Sequence, residues 1–211
     1  MPSATRELLL DALEPLREEI RATGPLEWVG LSLYLRAAET IYETLGHEAT
    51  IEFWSEQISK AFDASLMRPL ATGGLFLYGR NPGSMYRLLP KAYSLVFRNA
   101  GDIDVHLDGD HGAEMVFTNL PPAMRRPAVL AHFRGNCHGV LRYLGFEGEV
   151  EMDETRLAEG TLRFAVRWSA RAEAEGPQPR PRRSSRMRLK AVKPHAEVAN
   201  SMARLASALA S

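Results

Sequence analysis

The stretch "RGNCHGV", residues 134–140, holds the chain's only cysteine, Cys137, beside one of its six histidines, His138. Cysteine and histidine together make thiol nucleophiles, in which the imidazole takes the thiol proton, and soft metal sites. The spacing argues against a pair formed within this segment. Apolar residues fall at Leu130, Phe133, Cys137, Leu141 and Leu144, which is one face of an α-helix. Cys137 lies on that stripe and is expected to face the core as a small hydrophobe. His138 is turned about 100° away and shares a face with Arg134 and Arg142. Adjacent helix residues do not face each other, so a reactive Cys137 needs a histidine from elsewhere in the chain. The same helix spaces Ala131, Gly135 and Gly139 four apart. Each interior glycine costs about 1 kcal/mol of helix stability, so a strand, a second helix, a second subunit or a ligand is expected to pack close against this strip.

Other segments carry chemistry-bearing residues at weaker spacing. "HLDGDHG" offers His106, Asp108, Asp110 and His111, but it lacks the ligand spacing and terminal Glu of a calcium loop. Asp-Gly and His-Gly between alternating strands read as a hairpin turn. "GHEATI" begins like a zinc-protease helix, yet Ile51 stands where the second histidine is needed. "TGGLFLYGRNPGS" has glycines without Gly-Lys-Ser/Thr, hence no P-loop; Arg80 beside Asn81-Pro82-Gly83 reads as a turn, with anion binding at the next helix start as the alternative. No nucleophile elbow occurs. No metal, cofactor or catalytic residue is assigned.

One segment stands apart by charge. Between Gly176 and His195 lie Arg180, Arg182, Arg183, Arg186, Arg188, Lys190 and Lys193, with no acid. These are seven of 26 basic residues, which leaves 19 basic against 26 acidic in the remainder. The zero net charge therefore divides into an acidic body and a basic arm. Positive charge on a flexible arm binds phosphates in a salt-dependent way, and Arg180, Arg182, Arg183, Arg186 and Arg188 are the phosphate-binding candidates. The arm has no interleaved aromatics for base stacking, so a solubilising linker is the competing reading.

The elements that must position these residues change period midway. Helices are expected from Thr5 to about Ala22, from after Pro25 to Leu45 with Gly46 past its end, and from about Glu48 to Met67. Ser84 can cap a further helix from Met85 to Asn99, with Pro90 kinking it or delaying its regular start. "DIDVHLD" then alternates strictly, "AEMVFTN" returns, and a helix runs from Pro127 to Leu144. "EGEVEMDE" and "GTLRFAVRW" alternate again, with Val150, Met152, Leu162, Phe164, Val166 and Trp168 inward. Their outward residues are Glu149, Glu151 and Asp153 on one strand and Arg163 and Arg167 on the other, which favours pairing. The fold class is α+β: a helical N-terminal half followed by a β-β-α-β-β antiparallel four-stranded sheet. Residues 1–169 form one domain, 170–193 a basic flexible linker, and 194–211 an amphipathic helix with Val198, Met202, Leu205 and Leu209 on one face. The apolar fraction of 45% and charged fraction of 25% are those of an ordinary globular protein. No signal peptide or run of about 18 apolar residues is seen, and the lone cysteine gains nothing from an oxidising compartment. A cytoplasmic location without a membrane span is expected.

From Tyr93 to Trp168 the order is a helix ending at Gly101, an alternating strand, "MVFTNLPP", a helix with "CHGVLRYLG", and "VEMDETRLAEGTLRFAVRW". This order resembles the 4-vinyl reductase domain and its relatives, the TRAPP trafficking subunits and the heme–nitric-oxide-binding domains, and most of all a family of uncharacterised myxobacterial paralogues. The resemblance implies a ligand-binding or adaptor module, often dimeric, with an apolar pocket between helices and sheet. Few site residues carry over. Leu157 and Arg163 stand near the places where the 4-vinyl reductase pattern has cysteines, around Ala158, Glu159 and Gly160. The heme-binding relatives use a proximal histidine and a Tyr-x-Ser-x-Arg motif, and "AYSLVFR" has Tyr93, Ser94 and Arg98 at another spacing. The TRAPP acyl-cysteine role does not transfer to Cys137, which lies on a different element.

These readings give a non-enzymatic, regulatory binding or adaptor module for an apolar small molecule or a protein partner, expected as a homodimer. Phe76, Tyr86, Phe133, Cys137 and Trp168 are the expected pocket wall, being large or soft residues on inward faces. A protein partner at the C-terminal helix is a further expectation. The alternative is a nucleic-acid-associated regulator using the basic arm, and a third reading is an enzyme in which Cys137 reacts.

Overall fold

The computed structural model describes residues 3–22, 30–63, 79 and 81–170. Four helices come first: α1 (Ser3–Ala22), α2 (Leu31–Leu45), α3 (His47–Asp63) and α4 (Pro82–Val96). Helix α1 buries Leu9, Leu13, Leu16 and Ile20, the face its spacing predicts. Helices α2 and α3 are joined by one residue, Gly46, whose φ of 78° lies in the left-handed region that glycine enters without steric cost. Its N–H closes α2 on the Tyr42 carbonyl, and its own carbonyl accepts the Thr50 hydroxyl.

Helix α4 begins earlier than expected. Its cap is Asn81, whose side chain accepts the Ser84 N–H at 2.9 Å, and Pro82 occupies the first turn. A proline there loses no helical hydrogen bond and brings its φ already set, so the regular start moves three residues upstream of the expected Met85. Pro90 lies inside the helix without ending it. The end falls at Val96, short of Asn99, which takes a φ of 55°.

The second half is β1 (Asp102–Asp108), β2 (Gly112–Thr118), α5 (Pro127–Leu144), β3 (Phe146–Asp153) and β4 (Leu162–Ala170). The four strands form one antiparallel sheet in the order β1-β2-β4-β3, which is the expected β-β-α-β-β arrangement. Register places Glu149 opposite Arg167 and Asp153 opposite Arg163, as the charge pattern suggested. The ion pair that Arg163 makes is with Glu114 of β2, at 3.0 Å.

The sheet has one dry and one wet face. Ile103, Met115, Phe117, Val150, Leu162, Phe164, Val166 and Trp168 are buried toward the helices. Alternate positions turn outward and are acidic on the edges: Asp102, Asp104 and Asp108 on β1, and Glu147, Glu149, Glu151 and Asp153 on β3, all exposed. Glu114 adds an eighth carboxylate, against Arg163 and Arg167 on β4.

Helix α5 sits between the two halves. One side packs on β3 and the other on α3 and α2. The close neighbour implied by Gly135 and Gly139 is α3. A Cβ on Gly135 would lie 2.6 Å from the Ile51 carbonyl oxygen and 2.7 Å from the Trp54 Cβ. On Gly139 it would lie 2.9 Å from the Ser55 carbonyl oxygen. The two backbones approach too closely for any side chain there, and dispersion attraction across the α3–α5 interface offsets the helix propensity lost. Among the described residues no helix is long and apolar enough to cross a membrane. The linker 170–193 and the helix 194–211 lie, but for Ala170, outside the described residues.

Candidate functional site

The two residues of the "CH" dipeptide part company as helical geometry requires. Cys137 is a free, buried thiol, and burial pushes its pKa up to about 12. A thiol held neutral is a poor nucleophile and a poor metal ligand. His138 is half-buried with its pKa lowered, first by burial and then by Arg134, while Glu52 and Glu48 of α3 pull the other way. The basic strip Arg134–His138–Arg142 thus faces acidic residues on α3, and Arg142 pairs with Glu52.

A different histidine is the most embedded one, and sequence reasoning passed over it. His132, five residues before Cys137, is buried, with its ring 4.0 Å from that of Trp54. The Tyr34 hydroxyl of α2 bonds Nδ1, and the Asn136 side-chain amide reaches Nε2 at 3.0 Å. Burial lowers the imidazole pKa to about 3, so the ring is neutral and carries one proton. A 180° turn of the Asn136 amide puts Oδ1, otherwise without a partner, on a protonated Nε2, and Tyr34 then donates to Nδ1. Both ring nitrogens are used, and His132 pins α2, α3 and α5 together. The available signal was its place three residues before Gly135, on the face that α3 covers.

Of the expected pocket wall, Tyr86, Cys137 and Trp168 come together. Tyr86 is buried, donates its hydroxyl to the Cys137 carbonyl at 2.9 Å, and sets its ring 5.7 Å from that of Trp168. Phe133 lies in a neighbouring cluster, stacked on Phe117 at 4.9 Å and flanked by Tyr93. Phe76 lies outside the described residues, as do Arg80, Arg180, Arg182, Arg183, Arg186 and Arg188.

Above Trp168 the fold leaves a cleft of about 290 Å³. Three segment ends form it: the first turns of α4, the β1–β2 turn, and the start of β3. Trp168, Phe146 and Leu107 supply apolar wall, while Ser84, Arg87, Asp110 and His111 supply polar groups. The Trp168 backbone N–H donates to the His111 carbonyl at 2.9 Å and ties the turn to β4. The turn itself needs Gly109, at φ 62°. Arg87 is exposed at the mouth, and Trp168 below is only 5% exposed. The size falls just under the usual range of small-molecule pockets, roughly 300–1,000 Å³, and the lining is more polar than is common for them, with Asn81, Ser84, Arg87, Asp110 and His111 around Leu107, Phe146 and Trp168.

No protein-family model matches the chain, and no curated protein matches it. Solved structures do. The unliganded Fe(II) H-NOX protein of K. algicida superposes with a TM-score of 0.51 at 10% identity, covering 83% of this chain and all of that one. A point mutant of T. Tengcongensis H-NOX gives 0.52 at 13%, covering 80% and 90%. The S. oneidensis H-NOX protein in its Fe(II)NO state gives 0.52 at 9%, covering 80% and 99%. The chain has the H-NOX fold. Of the group named from the sequence, the likeness of fold is to the heme–nitric-oxide-binding domains; the 4-vinyl reductase, TRAPP and myxobacterial likenesses gain no support.

The H-NOX fold raises the question of a heme. The described residues do not fit one. A heme iron needs an axial ligand such as a free imidazole, thiolate or phenolate in an apolar cavity. His132 has both nitrogens engaged, His106 and His111 are exposed, His47 stands beside Tyr42 and Glu48 at the α2–α3 joint, and His138 lies among charges. The buried tyrosines Tyr34, Tyr86 and Tyr93 have bonded hydroxyls and pKa values raised by burial. Near the 4-vinyl reductase cysteine positions, Leu157 is half-buried and Arg163 is paired with Glu114. Among the described residues no three potential metal ligands cluster.

Proposed function

We propose that the chain is a non-enzymatic binding module with a regulatory role, which takes a small molecule with an apolar, flat body and a negatively charged end in the cleft over Trp168. The observation that carries this reading is the pairing of an apolar wall, Trp168 with Phe146 and Leu107, with an exposed guanidinium, Arg87, at the mouth of one cleft. A planar body packs against the half-buried Phe146 and Leu107, with the indole edge as the floor, and a carboxylate at its edge meets the guanidinium in a charge-assisted bond. The non-enzymatic part is supported by Cys137 and His132, whose reactive atoms are taken up in packing. The lone buried cysteine agrees with a reducing, cytoplasmic setting. Native mass spectrometry of the purified full chain tests the ligand: a co-purifying small anion is expected, lost in a Trp168→Ala variant that still folds. A bare mass together with no binding of aromatic carboxylates contradicts the reading. Light scattering on the same sample decides the homodimer that the resemblance implied.

The acid-free run from Arg180 to Lys193 favours a second reading, a regulator held on nucleic acid. Deleting residues 176–211 and measuring DNA affinity against salt tests it. Negligible affinity in both forms contradicts it.

A further inference from the structure

The outer face of the sheet carries eight carboxylates and two guanidiniums, and one of the latter, Arg163, is already paired with Glu114. Edge strands β1 and β3 hold seven of the eight acids, so the excess charge lies along both margins of an exposed face. Between them, β2 and β4 place Val116 and Ala165, half-buried and uncharged. Such a face repels its own carboxylates and attracts a strip of cations. Nothing among the described residues covers it.

The chain carries a counterpart of opposite sign. After β4 comes the acid-free basic run, seven cations between Arg180 and Lys193. The point of departure matters. β4 is an interior strand, between β2 and β3, and it ends at Ala170, opposite Phe146 of β3. The run is therefore tethered at the edge of the acidic face by residues 171–179. Nine residues reach at most about 30 Å. The face is roughly 23 Å along β1 and roughly 14 Å across four strands, so every part of it lies within reach. A tether this short holds the run at a millimolar effective concentration.

We propose that the outer sheet face is the docking surface for the chain's own residues 180–193, with the arginines bridging the carboxylates of β1 and β3. Single exposed ion pairs contribute little; the docking depends on many acting together and is sensitive to salt. Nucleic acid would compete for the run and displace it from the sheet. The docking is independent of the cleft over Trp168, so each can fail alone.

The test uses the full chain, labelled with 15N, as wild type, as R180E/R182E/R183E/R186E and as the corresponding four lysine substitutions. Amide spectra are taken at low salt and in about 0.5 M NaCl. The expected result is that resonances of β1 and β3 in the glutamate variant differ from wild type, that the lysine variant keeps the wild-type positions, and that salt brings wild type to the glutamate spectrum. Identical β1 and β3 resonances in all three proteins overturn the proposal. So does a dimer in wild type that becomes a monomer in the glutamate variant by light scattering, which would place the run on a second copy. A DNA duplex that shifts the run's resonances and leaves β1 and β3 unmoved overturns it in favour of nucleic acid.

Discussion

Gly139 of α5 lies against Ile58 of α3 so closely that a Cβ on it would come within 1.7 Å of the Ile58 Cγ2. Gly135, one turn earlier, meets backbone: the Ile51 carbonyl oxygen at 2.6 Å. Substituting alanine adds helix propensity worth about 1 kcal/mol but forces the two helices apart. Overpacking of this kind costs about 1–3 kcal/mol, and at Gly135 the backbone cannot turn aside as a side chain can. Gly135→Ala is expected to lower stability by about 1–3 kcal/mol net in urea unfolding. Gly139→Ala should lose part of its cost when combined with Ile58→Ala. Unchanged stability for Gly135→Ala would show that α3 and α5 are not in such close contact.

Stability should fall in acid through His132. Its folded pKa is about 3, against 6.5 for the free side chain. Between those values the unfolded chain binds a proton that the folded chain does not, so stability rises with pH there and is lost as pH falls below 6.5. One such group contributes up to about 1.4 kcal/mol per pH unit. His132→Gln, measured by denaturant unfolding between pH 4 and 7, is expected to flatten the slope by that amount. A Tyr34→Phe variant, which leaves Nδ1 unpartnered, should cost about 1–3 kcal/mol near neutral pH. An unaltered slope in His132→Gln would mean that the ring is not buried neutral.

Cys137 should be silent to thiol reagents in the native protein. With its pKa pushed up to about 12 by burial and only 5% of its surface exposed, alkylation at pH 8 should proceed at the rate of unfolding and accelerate in urea. Prompt native labelling would revive the enzyme reading.

Free hemin should not find an axial ligand in His132. Titration into the full chain is expected to give no sharp Soret band that depends on His132, because that ring is already bonded at both nitrogens. A stoichiometric Soret band removed by a His132 substitution would contradict the packing described.

Much of this architecture was legible from periodicity. The 3.6-residue stripe from Leu130 to Leu144 and the alternation from Ile103 and from Leu162 each record a face that must be buried, and all three appear as read. Gly135 and Gly139 announced a close neighbour but not which one, since a strip of small residues fits any surface. The α4 start was misplaced because Asn81 and Ser84 are both capping residues three apart; Pro82 between them selects the first. His132 was legible only in its place on the Gly135 face: its partner Tyr34 is 98 residues away, and no local pattern joins them. The cleft was only partly visible. Trp168 was expected at a binding wall, but Arg87 and His111 reach it through turns whose meeting depends on the whole sheet.

The cleft over Trp168 is tested most directly by an amide spectrum of the full chain titrated with an aromatic carboxylate, indole-3-acetate. Saturable shifts are expected at Ser84, Arg87, Gly109 and His111, abolished by Arg87→Met, whose exposed position should leave stability within about 0.5 kcal/mol. Shifts gathered instead at Gly135 and Trp54, or no saturable shift at any concentration tested, would contradict it.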